Sequence, residues 1–259
     1  MARKGYGTIL IARREERLDA LAQELRRWAP SHALPTDLHD RAEVDQLAAA
    51  LGHHRPAVRI LVNGAGCARY LSTLDQSEIF EHLMWVNALA AHRLTCAVLP
   101  GMIEARAGHI VNICSMSAHM GPWGHSGYAA SKAALRALTE SLAAETYDAG
   151  VRVTGVYPGI VATEWFEQPT MPRLWERVAR RAVPPERVAR AVAGAIDRPR
   201  LAVYVPWFYR LLPFIAGASP QAAMRLVRAG SLPLQGSGGT IESRPSRGNA
   251  QAIPRGLTR

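Results

Sequence analysis

The stretch CSMSAHMGPWGHSGYAASKAAL, residues 114–135, decides the fold, because a strand ends at its first residue and a helix begins within it. The apolar run HIVNIC, residues 109–114, leads into this stretch, and a strand this apolar is typical of a sheet buried on both faces. Ser115 therefore follows the carboxyl end of a strand, where open α/β sheets bind their ligands. Tyr128 and Lys132 lie four residues apart in the helix, so their side chains share one face.

The pair of Tyr128 and Lys132 is suited to proton transfer. A tyrosine with an ordinary pKa of about 10 is a poor acid–base catalyst at neutral pH, and a nearby positive charge favours its phenolate. Only Lys4 and Lys132 are lysines among the 31 basic residues, so the lysine at this position is not explained by a general need for positive charge. The hydroxyl of Ser115 can bind a substrate carbonyl, although an isolated serine is also ordinary in loops.

Strand-like and helical stretches alternate along the chain from residue 8 to residue 157. A further helix, PPERVARAVAGAI at 184–196, then leads to a last strand, RLAVYVP at 200–206. This alternation predicts an α/β fold with a Rossmann-like, doubly wound parallel sheet between two layers of helices, a three-layer α/β/α arrangement over residues 1–206.

The C-terminal region has a different composition. Residues 207–229 mix aromatic residues, leucines and prolines with Arg210, Arg225 and Arg228. This mixture is typical of a helix at a membrane surface, or of a lid or subunit contact packed on the domain. Residues 231–259 are rich in Gly, Ser, Pro and Arg, which predicts a disordered tail.

Composition and charge exclude several classes of protein. The chain has 259 residues, 48% of them hydrophobic, and a net charge of +10. The arginines are spread along helices without an aromatic platform, so we expect no binding of nucleic acid. The three cysteines form no C-x-x-C pair and the sequence shows no cluster of metal ligands, so we expect neither disulfides nor a metal. Without a signal segment or a long uninterrupted apolar run, the protein is expected to be cytoplasmic.

The sequence resembles the short-chain dehydrogenase/reductase superfamily in a set of residues that follow the family's order. These residues are Asn63-Gly64-Ala65-Gly66, Asn87, Ser115, Tyr128, Lys132 and the run from Pro158 to Thr163. The resemblance implies a Rossmann-like sheet, a nicotinamide cofactor and the transfer of a hydride between the cofactor and a carbonyl or alcohol. It also implies a homo-oligomer that pairs through the helices holding Asn87 and Tyr128.

Four residues would be catalytic by this resemblance. Tyr128 would donate or accept the proton, and Lys132 would lower the pKa of Tyr128 and hold the nicotinamide ribose. Ser115 would orient the substrate oxygen, and Asn87 would hold a relay water. These roles come from the family pattern, to which the four residues correspond in order and spacing.

Further residues would contact the cofactor by the same resemblance. Pro158, Gly159 and Val161 would lie along the nicotinamide, with Thr163 near its carboxamide. Asn63, Gly64 and Ala65 would also contact the dinucleotide, and Asp37 and Leu38 would lie near the adenine. Asp37 is equally an ordinary candidate for a helix cap, because a helical stretch follows it.

The choice of dinucleotide can be inferred from the end of the strand at residues 8–12. Arg13 and Arg14 follow that strand, and no acidic residue occurs before Glu15. Arginine accommodates the 2′-phosphate of NADP, whereas a carboxylate would accept hydrogen bonds from the 2′-hydroxyl of NAD. The sequence therefore favours NADP(H) over NAD(H).

One family motif is not found. The pattern T-G-x-x-x-G-x-G, which would hold the pyrophosphate at a helix N-terminus, is absent, and Gly64 stands where the family often has a second Asn. The opening MARKGYG resembles the end of the family's first helix, so we expect the family's first strand to be missing, through a start site placed too late. The alternative is a truncated, non-catalytic binding or regulatory protein.

Aromatic and methionine side chains predict an apolar substrate. They fall in the loops that the family uses around the nicotinamide, and they are Met116, Met120, Trp123, Trp165, Phe166 and Trp175. Such a lining suits a bulky hydrophobic ketone or alcohol, although the same residues could pack in the core or at a subunit interface. His119 and His125, in the same region, are expected to be hydrogen-bonded loop residues.

Overall fold

Parallel strands alternate with helices in the computed structural model, which describes residues 1–54, 57–73, 76–163, 180 and 182–230. The strands are β1 Thr8–Ala12, β2 Ser31–Pro35, β3 Ile60–Asn63, β4 Gly108–Ile113, β5 Val151–Pro158 and β6 Ala202–Val205. The helices are α1 Glu15–Leu25, α2 Arg41–His53, α3 Phe80–Met84, α4 Ala90–Glu104, α5 Ser126–Glu145, α6 Pro185–Asp197, α7 Leu212–Ala218 and α8 Pro220–Gly230. The predicted tail at 231–259 lies outside the described residues.

The strands form two parallel sheets. Strands β1 and β2 pair with each other, and the other sheet has the order β3-β4-β5-β6. The predicted parallel α/β architecture is confirmed, but the single continuous sheet is not seen. Among the described residues no backbone pairing joins β1 to β3, and this interruption falls where the resemblance places a further strand.

The core packs helices on both faces of the four-stranded sheet. Ile110 and Val111 are consecutive in β4, so they point to opposite faces, and both are fully buried. Ile110 joins a cluster with side chains of α2 and α4, against which Ile9 and Ile11 of β1 also pack. Val111 joins a second cluster with Val188 and other side chains of α6. These two clusters give the three layers that the sequence predicts.

A buried polar network connects the ends of β3 and β4 to α5. The Nδ2 of Asn63 donates to the Oδ1 of Asn112 at 2.8 Å, and the Nδ2 of Asn112 donates to the Oγ1 of Thr139 at 2.9 Å. All three side chains are buried, where an unmade hydrogen bond costs about 1–3 kcal/mol. The network therefore fixes the two strand ends relative to the helix.

The helical stretch Phe80–Glu104 combines α3, a π-helical turn at Trp85–Leu89 and α4. It has the length of a membrane-spanning helix and contains an 18-residue window with a mean hydropathy of 1.2, and 50% of that window is buried inside the protein. Leu94, Val98 and Met102 of this stretch belong to the main core cluster. Because these side chains are buried in the core, the apolar composition of the stretch is that of a core helix.

The segment that follows β6 covers the turn after β5. A Cβ atom added at Gly159 would lie 2.1 Å from the Cε2 of Tyr209, so the tyrosine ring packs directly on the glycine. Trp207, Phe214 and Met224 are 62%, 75% and 62% exposed. Residues 207–230 thus contact the domain through one side and present apolar side chains to solvent on the other.

Two glycines give opposite expectations for substitution by alanine. Gly150 has φ +75°, and an added Cβ would lie 2.3 Å from the backbone oxygen of Arg106, so Gly150→Ala should lower the free energy of unfolding by about 2 kcal/mol or more. Gly194 lies within α6 with nothing within 4 Å, so Gly194→Ala should raise it by about 0.5–1 kcal/mol. Urea denaturation of both variants checks this, and equal effects at the two sites would contradict it.

Candidate active site

The carboxyl ends of the parallel strands meet the beginning of α5. Ser115 follows β4 directly, and Tyr128 and Lys132 lie in the first two turns of α5, which begins at Ser126. The loop after β3, from Gly64 to Gly66, lies at the same edge of the sheet. The structure therefore brings together Ser115, Tyr128 and Lys132, three of the residues that the sequence predicts to be catalytic.

Tyr128 and Ser115 are in contact. The ring of Tyr128 is half-buried, and burial raises the pKa of its phenol, while a hydrogen bond with the Ser115 side chain acts in the opposite direction. The Oγ of Ser115 also accepts the backbone N–H of Ser117 at 3.1 Å. Ser115 is thereby held in place, and the phenol stays protonated at neutral pH.

Lys132 is directed at the backbone of β4. Its side chain is buried, and Nζ donates to the carbonyl oxygen of Ile113 at 2.8 Å. Nζ lies 6.0 Å from the centroid of the Tyr128 ring. Burial lowers the pKa of Lys132. The structure differs here from the expectation that Lys132 lowers the pKa of Tyr128, because burial of the phenol determines the direction of its shift.

Asn87 lies in the π-helical turn, a rare conformation that is frequent at functional sites. Its Oδ1 accepts the backbone N–H of Cys67 at 2.8 Å, and its Nδ2 donates to the carbonyl oxygen of Cys67 at 2.8 Å. Nδ2 also donates to the Oγ of Ser131 at 2.9 Å, and that hydroxyl donates to the carbonyl oxygen of Tyr128 at 2.8 Å. Asn87 therefore connects the loop after β3 to the helix of Tyr128.

Gln76 fixes the start of the catalytic helix. It is 2% exposed, and its Oε1 accepts from the backbone N–H of Gly127 at 2.8 Å and from the Oγ of Ser126 at 3.2 Å. Gln76 and Ser131 are not among the residues that the sequence predicts for the site. An isolated glutamine about fifty residues before its partners carries no local pattern that would have identified it.

Two histidines lie beside the catalytic residues. His125 is buried, with its ring centroid 5.2 Å from that of Tyr70 and 5.8 Å from that of Tyr128, and burial lowers its pKa to about 4. The ring centroid of His119 lies 5.0 Å from that of Tyr157, and burial lowers the pKa of His119 as well. Both imidazoles are therefore neutral at pH 7.

At the ends of β1 and β2 the structure brings Arg13 and Asp37 together. The Nε of Arg13 lies 3.9 Å from the Oδ1 of Asp37, and its NH1 lies 3.2 Å from the Nδ1 of His39. Burial acts to raise the pKa of Asp37, but hydrogen bonds with His39 and the nearby charge of Arg13 lower it overall. Arg14 precedes the first turn of α1. The carbonyl oxygen of Leu38 accepts from the indole of Trp85 at 3.0 Å.

The turn after β5 lies beside the C-terminal segment. The backbone N–H of Gly159 donates to the carbonyl oxygen of Val205 at 2.8 Å. Val161 forms an isolated parallel β-bridge with Val183, and Thr163 is exposed. Met116 and Met120 are half-buried, and Trp123 is 39% exposed. The other aromatic residues of the predicted substrate lining, Trp165, Phe166 and Trp175, lie outside the described residues.

Sequence comparisons identify relatives. The family model described as short chain dehydrogenase matches residues 1–172. Oxidoreductase UcpA of Salmonella typhimurium is 36% identical over 206 residues, which cover 78% of this chain and 74% of that protein. The NADP-dependent 3-hydroxy acid dehydrogenase YdfG of Salmonella typhi is 34% identical over 167 residues, 62% of this chain and 65% of that protein.

Solved structures share the fold. A short-chain dehydrogenase from Sphingobium yanoikuyae, solved in complex with NADPH, has a TM-score of 0.73 and 29% identity and covers 86% of this chain and 87% of its own. One from Streptomyces avermitilis has a TM-score of 0.71 and 27% identity, with 85% and 86% covered. The fold, the site and these relatives identify the chain as an oxidoreductase with an α/β fold. The chain belongs to the short-chain dehydrogenase family, which confirms the resemblance.

The residues present fit the two ends of the dinucleotide that the family implies. A Cβ atom at Gly66 would lie 3.1 Å from the Oδ1 of Asn87 and 3.4 Å from the Nζ of Lys132, so only glycine lets the backbone approach these groups without displacing them. Arg13 and Asp37 lie at the ends of the two neighbouring strands. The sequence offers no glycine-rich turn for the pyrophosphate between them.

The buried neutral imidazole of His125 should make the protein less stable in acid. Its pKa is about 4 in the folded state and near 6.5 in the unfolded chain, so the unfolded state binds more protons between these values. The free energy of unfolding should therefore fall by roughly 3 kcal/mol from this group as the pH drops from 7 to 4.

Denaturation of the wild type and of His125→Gln across this pH range measures the effect. The other histidines contribute equally to both proteins, so the difference between the two pH profiles isolates His125. Profiles of identical slope would contradict the assignment.

Proposed function

We propose that this chain is an NADP(H)-dependent oxidoreductase that transfers a hydride between the nicotinamide and a carbonyl or alcohol of a hydrophobic substrate, with Tyr128 as the acid–base residue. The observation that carries the proposal is the contact of Tyr128 with Ser115 beside buried Lys132, at the carboxyl ends of β3 and β4. Ligands of open α/β sheets bind at this edge.

The chain's own residues account for the proton transfer. Burial keeps the phenol of Tyr128 protonated at neutral pH, so in the direction of carbonyl reduction it donates its proton to the substrate oxygen. Ser115, held by the backbone of Ser117, orients that oxygen. Asn87 fixes the loop after β3, and we assign it the relay water of the family pattern. When bound, the nicotinamide supplies or accepts the hydride.

Lys132 would hold the nicotinamide ribose. Its Nζ already donates to Ile113, and an ammonium has two further protons with which to bind hydroxyl groups. Pro158, Gly159, Val161 and Thr163 would lie along the nicotinamide, and Asn63, Gly64, Ala65, Asp37 and Leu38 would contact the rest of the dinucleotide. Their positions at the carboxyl ends of β2, β3 and β5 support this assignment.

Arg13 supports NADP(H) over NAD(H). Its guanidinium follows the end of β1 directly, and a second arginine, Arg14, comes next in the chain. The dinucleotide named for the Salmonella typhi relative is NADP, and the Sphingobium yanoikuyae enzyme was solved with NADPH. Both relatives support the same choice for this chain.

Met116, Met120 and Trp123 lie near the active site, which supports a hydrophobic carbonyl or alcohol as substrate.

The outer side of residues 207–230, with Trp207 and Phe214 beside Arg210, supports peripheral contact of an otherwise cytoplasmic protein with a membrane. Exposed Leu89, in the same π-helical turn as Asn87, supports pairing of two copies through this surface.

A non-catalytic binding protein is the second candidate, and the missing glycine-rich turn favours it. Replacement of Tyr128 separates the two candidates. Tyr128→Phe should lower kcat for reduction of hydrophobic ketones at least about 100-fold, because the proton donor is lost, while the Kd for NADPH changes only a few-fold.

Tyr147→Phe is the matched control, since Tyr147 is 70% exposed and follows the end of α5 opposite to that of Tyr128. Steady-state kinetics and NADPH titration of both variants check the result. Turnover that survives in Tyr128→Phe would overturn the catalytic assignment, and no turnover in the wild type would favour the binding protein.

Arg13→Ala should weaken NADPH binding about 10-fold and leave NADH binding unchanged, because only NADPH carries the 2′-phosphate. Arg27→Ala, which removes an exposed arginine paired with Glu24, is the control for net charge. Titration of both dinucleotides against each variant measures the difference. An equal loss for NADPH and NADH would show that Arg13 does not read the phosphate.

A further inference from the structure

Three metal-ligating side chains converge beside the active site, although they are far apart in sequence. They are His39 after β2, Cys67 after β3 and His82 in α3, and one ligand atom of each lies within 4.8 Å of the others. All three side chains are half-buried. The sequence predicts no metal site, because no spacing pattern connects these residues.

The positions of the three residues are set by the surrounding fold. The backbone N–H and carbonyl of Cys67 are both hydrogen-bonded by the Asn87 carboxamide, at 2.8 Å each. His82 is next to Leu83, which is fully buried and holds α3 in the core. The rings of His39 and His82 stack with their centroids 4.5 Å apart and their planes 7° apart. Because a nitrogen lone pair lies in the plane of its ring, two stacked imidazoles do not face one point, and at least one ring must rotate before both can bind the same ion.

Asp37 orients the imidazole of His39. The Oδ1 of Asp37 lies 2.7 Å from the Nδ1 of His39, and a proton on Nδ1 leaves the lone pair on Nε2. A carboxylate behind a histidine is the usual second-shell arrangement of metal sites. Arg13 and Arg69 bring positive charge nearby, which the carboxylate and a cysteine thiolate would balance.

We propose that His39, Cys67 and His82 bind a divalent transition-metal ion of the zinc class, with water as the fourth ligand. Two imidazoles and a thiolate suit such an ion and do not suit Mg²⁺ or Ca²⁺, which prefer oxygen ligands. Zinc ligands lie about 2.0–2.3 Å from the ion, so the ligand atoms would move closer together and one of the stacked imidazoles would rotate toward the ion. Binding releases the thiol proton of Cys67 to solvent as the thiolate coordinates.

Co²⁺ titration of the full chain without dinucleotide tests the proposal. The wild type should bind one Co²⁺ per chain and show a thiolate-to-cobalt charge-transfer band, which Zn²⁺ then removes by displacement. Cys67→Ser should lose the band, and His82→Gln should bind Co²⁺ at least about 10-fold more weakly. Asp37→Asn should keep the band and weaken binding about 10- to 100-fold, because Asp37 acts only through His39.

Cys96→Ser is the matched control. Exposed Cys96 also lies near a histidine, with its Sγ 3.6 Å from the Nε2 of His92, but this pair offers only two ligands. Its replacement should leave the band unchanged, and circular dichroism confirms that each variant is folded. No band in the wild type, or a band that survives Cys67→Ser and disappears in Cys96→Ser, would overturn the proposal. Because the titration needs no NADPH, its failure leaves the proposed reaction untouched.

Discussion

The carboxamide of Asn87 makes the hydrogen bonds on which the active-site geometry depends. Its oxygen and nitrogen hold both backbone groups of Cys67, and the same nitrogen reaches Ser131, whose hydroxyl holds the carbonyl oxygen of Tyr128. The side chain is 1% exposed, so each of these bonds is costly to lose. The π-helical turn at Trp85–Leu89 places the carboxamide where a regular helix would turn it elsewhere. Asn87 thus connects the loop after β3, which carries Cys67, to α5, which carries Tyr128.

Burial governs the electrostatics of this region. It raises the pKa of Tyr128, lowers the pKa of Lys132 and lowers the pKa of His125 to about 4, so each group shifts toward its neutral form. A phenol that keeps its proton at neutral pH is ready to act as an acid. A substrate oxygen placed between Tyr128 and Ser115 would find two hydroxyl groups able to bind it.

Local patterns predicted much of this site. The spacing of Tyr128 and Lys132 within one helix and the position of Ser115 at a strand end depend only on neighbouring residues, and the structure shows both. Gln76, Ser131 and the ligand group of His39, Cys67 and His82 depend on contacts between separate elements, which no periodicity encodes. The interruption between β1 and β3 is likewise a property of strand pairing, although the absence of the glycine-rich motif indicated its place.

Equilibrium binding of NADPH tests the central claim most directly, because the proposed chemistry requires the dinucleotide beside Tyr128 and Lys132. The fluorescence of the nicotinamide, followed as the full chain is added, should change saturably with one site per chain, and added NADP⁺ should reverse the change. A fluorescence that does not change saturably as the protein concentration rises would contradict the account. The assembled residues would then belong to a protein that keeps the family's fold without its reaction.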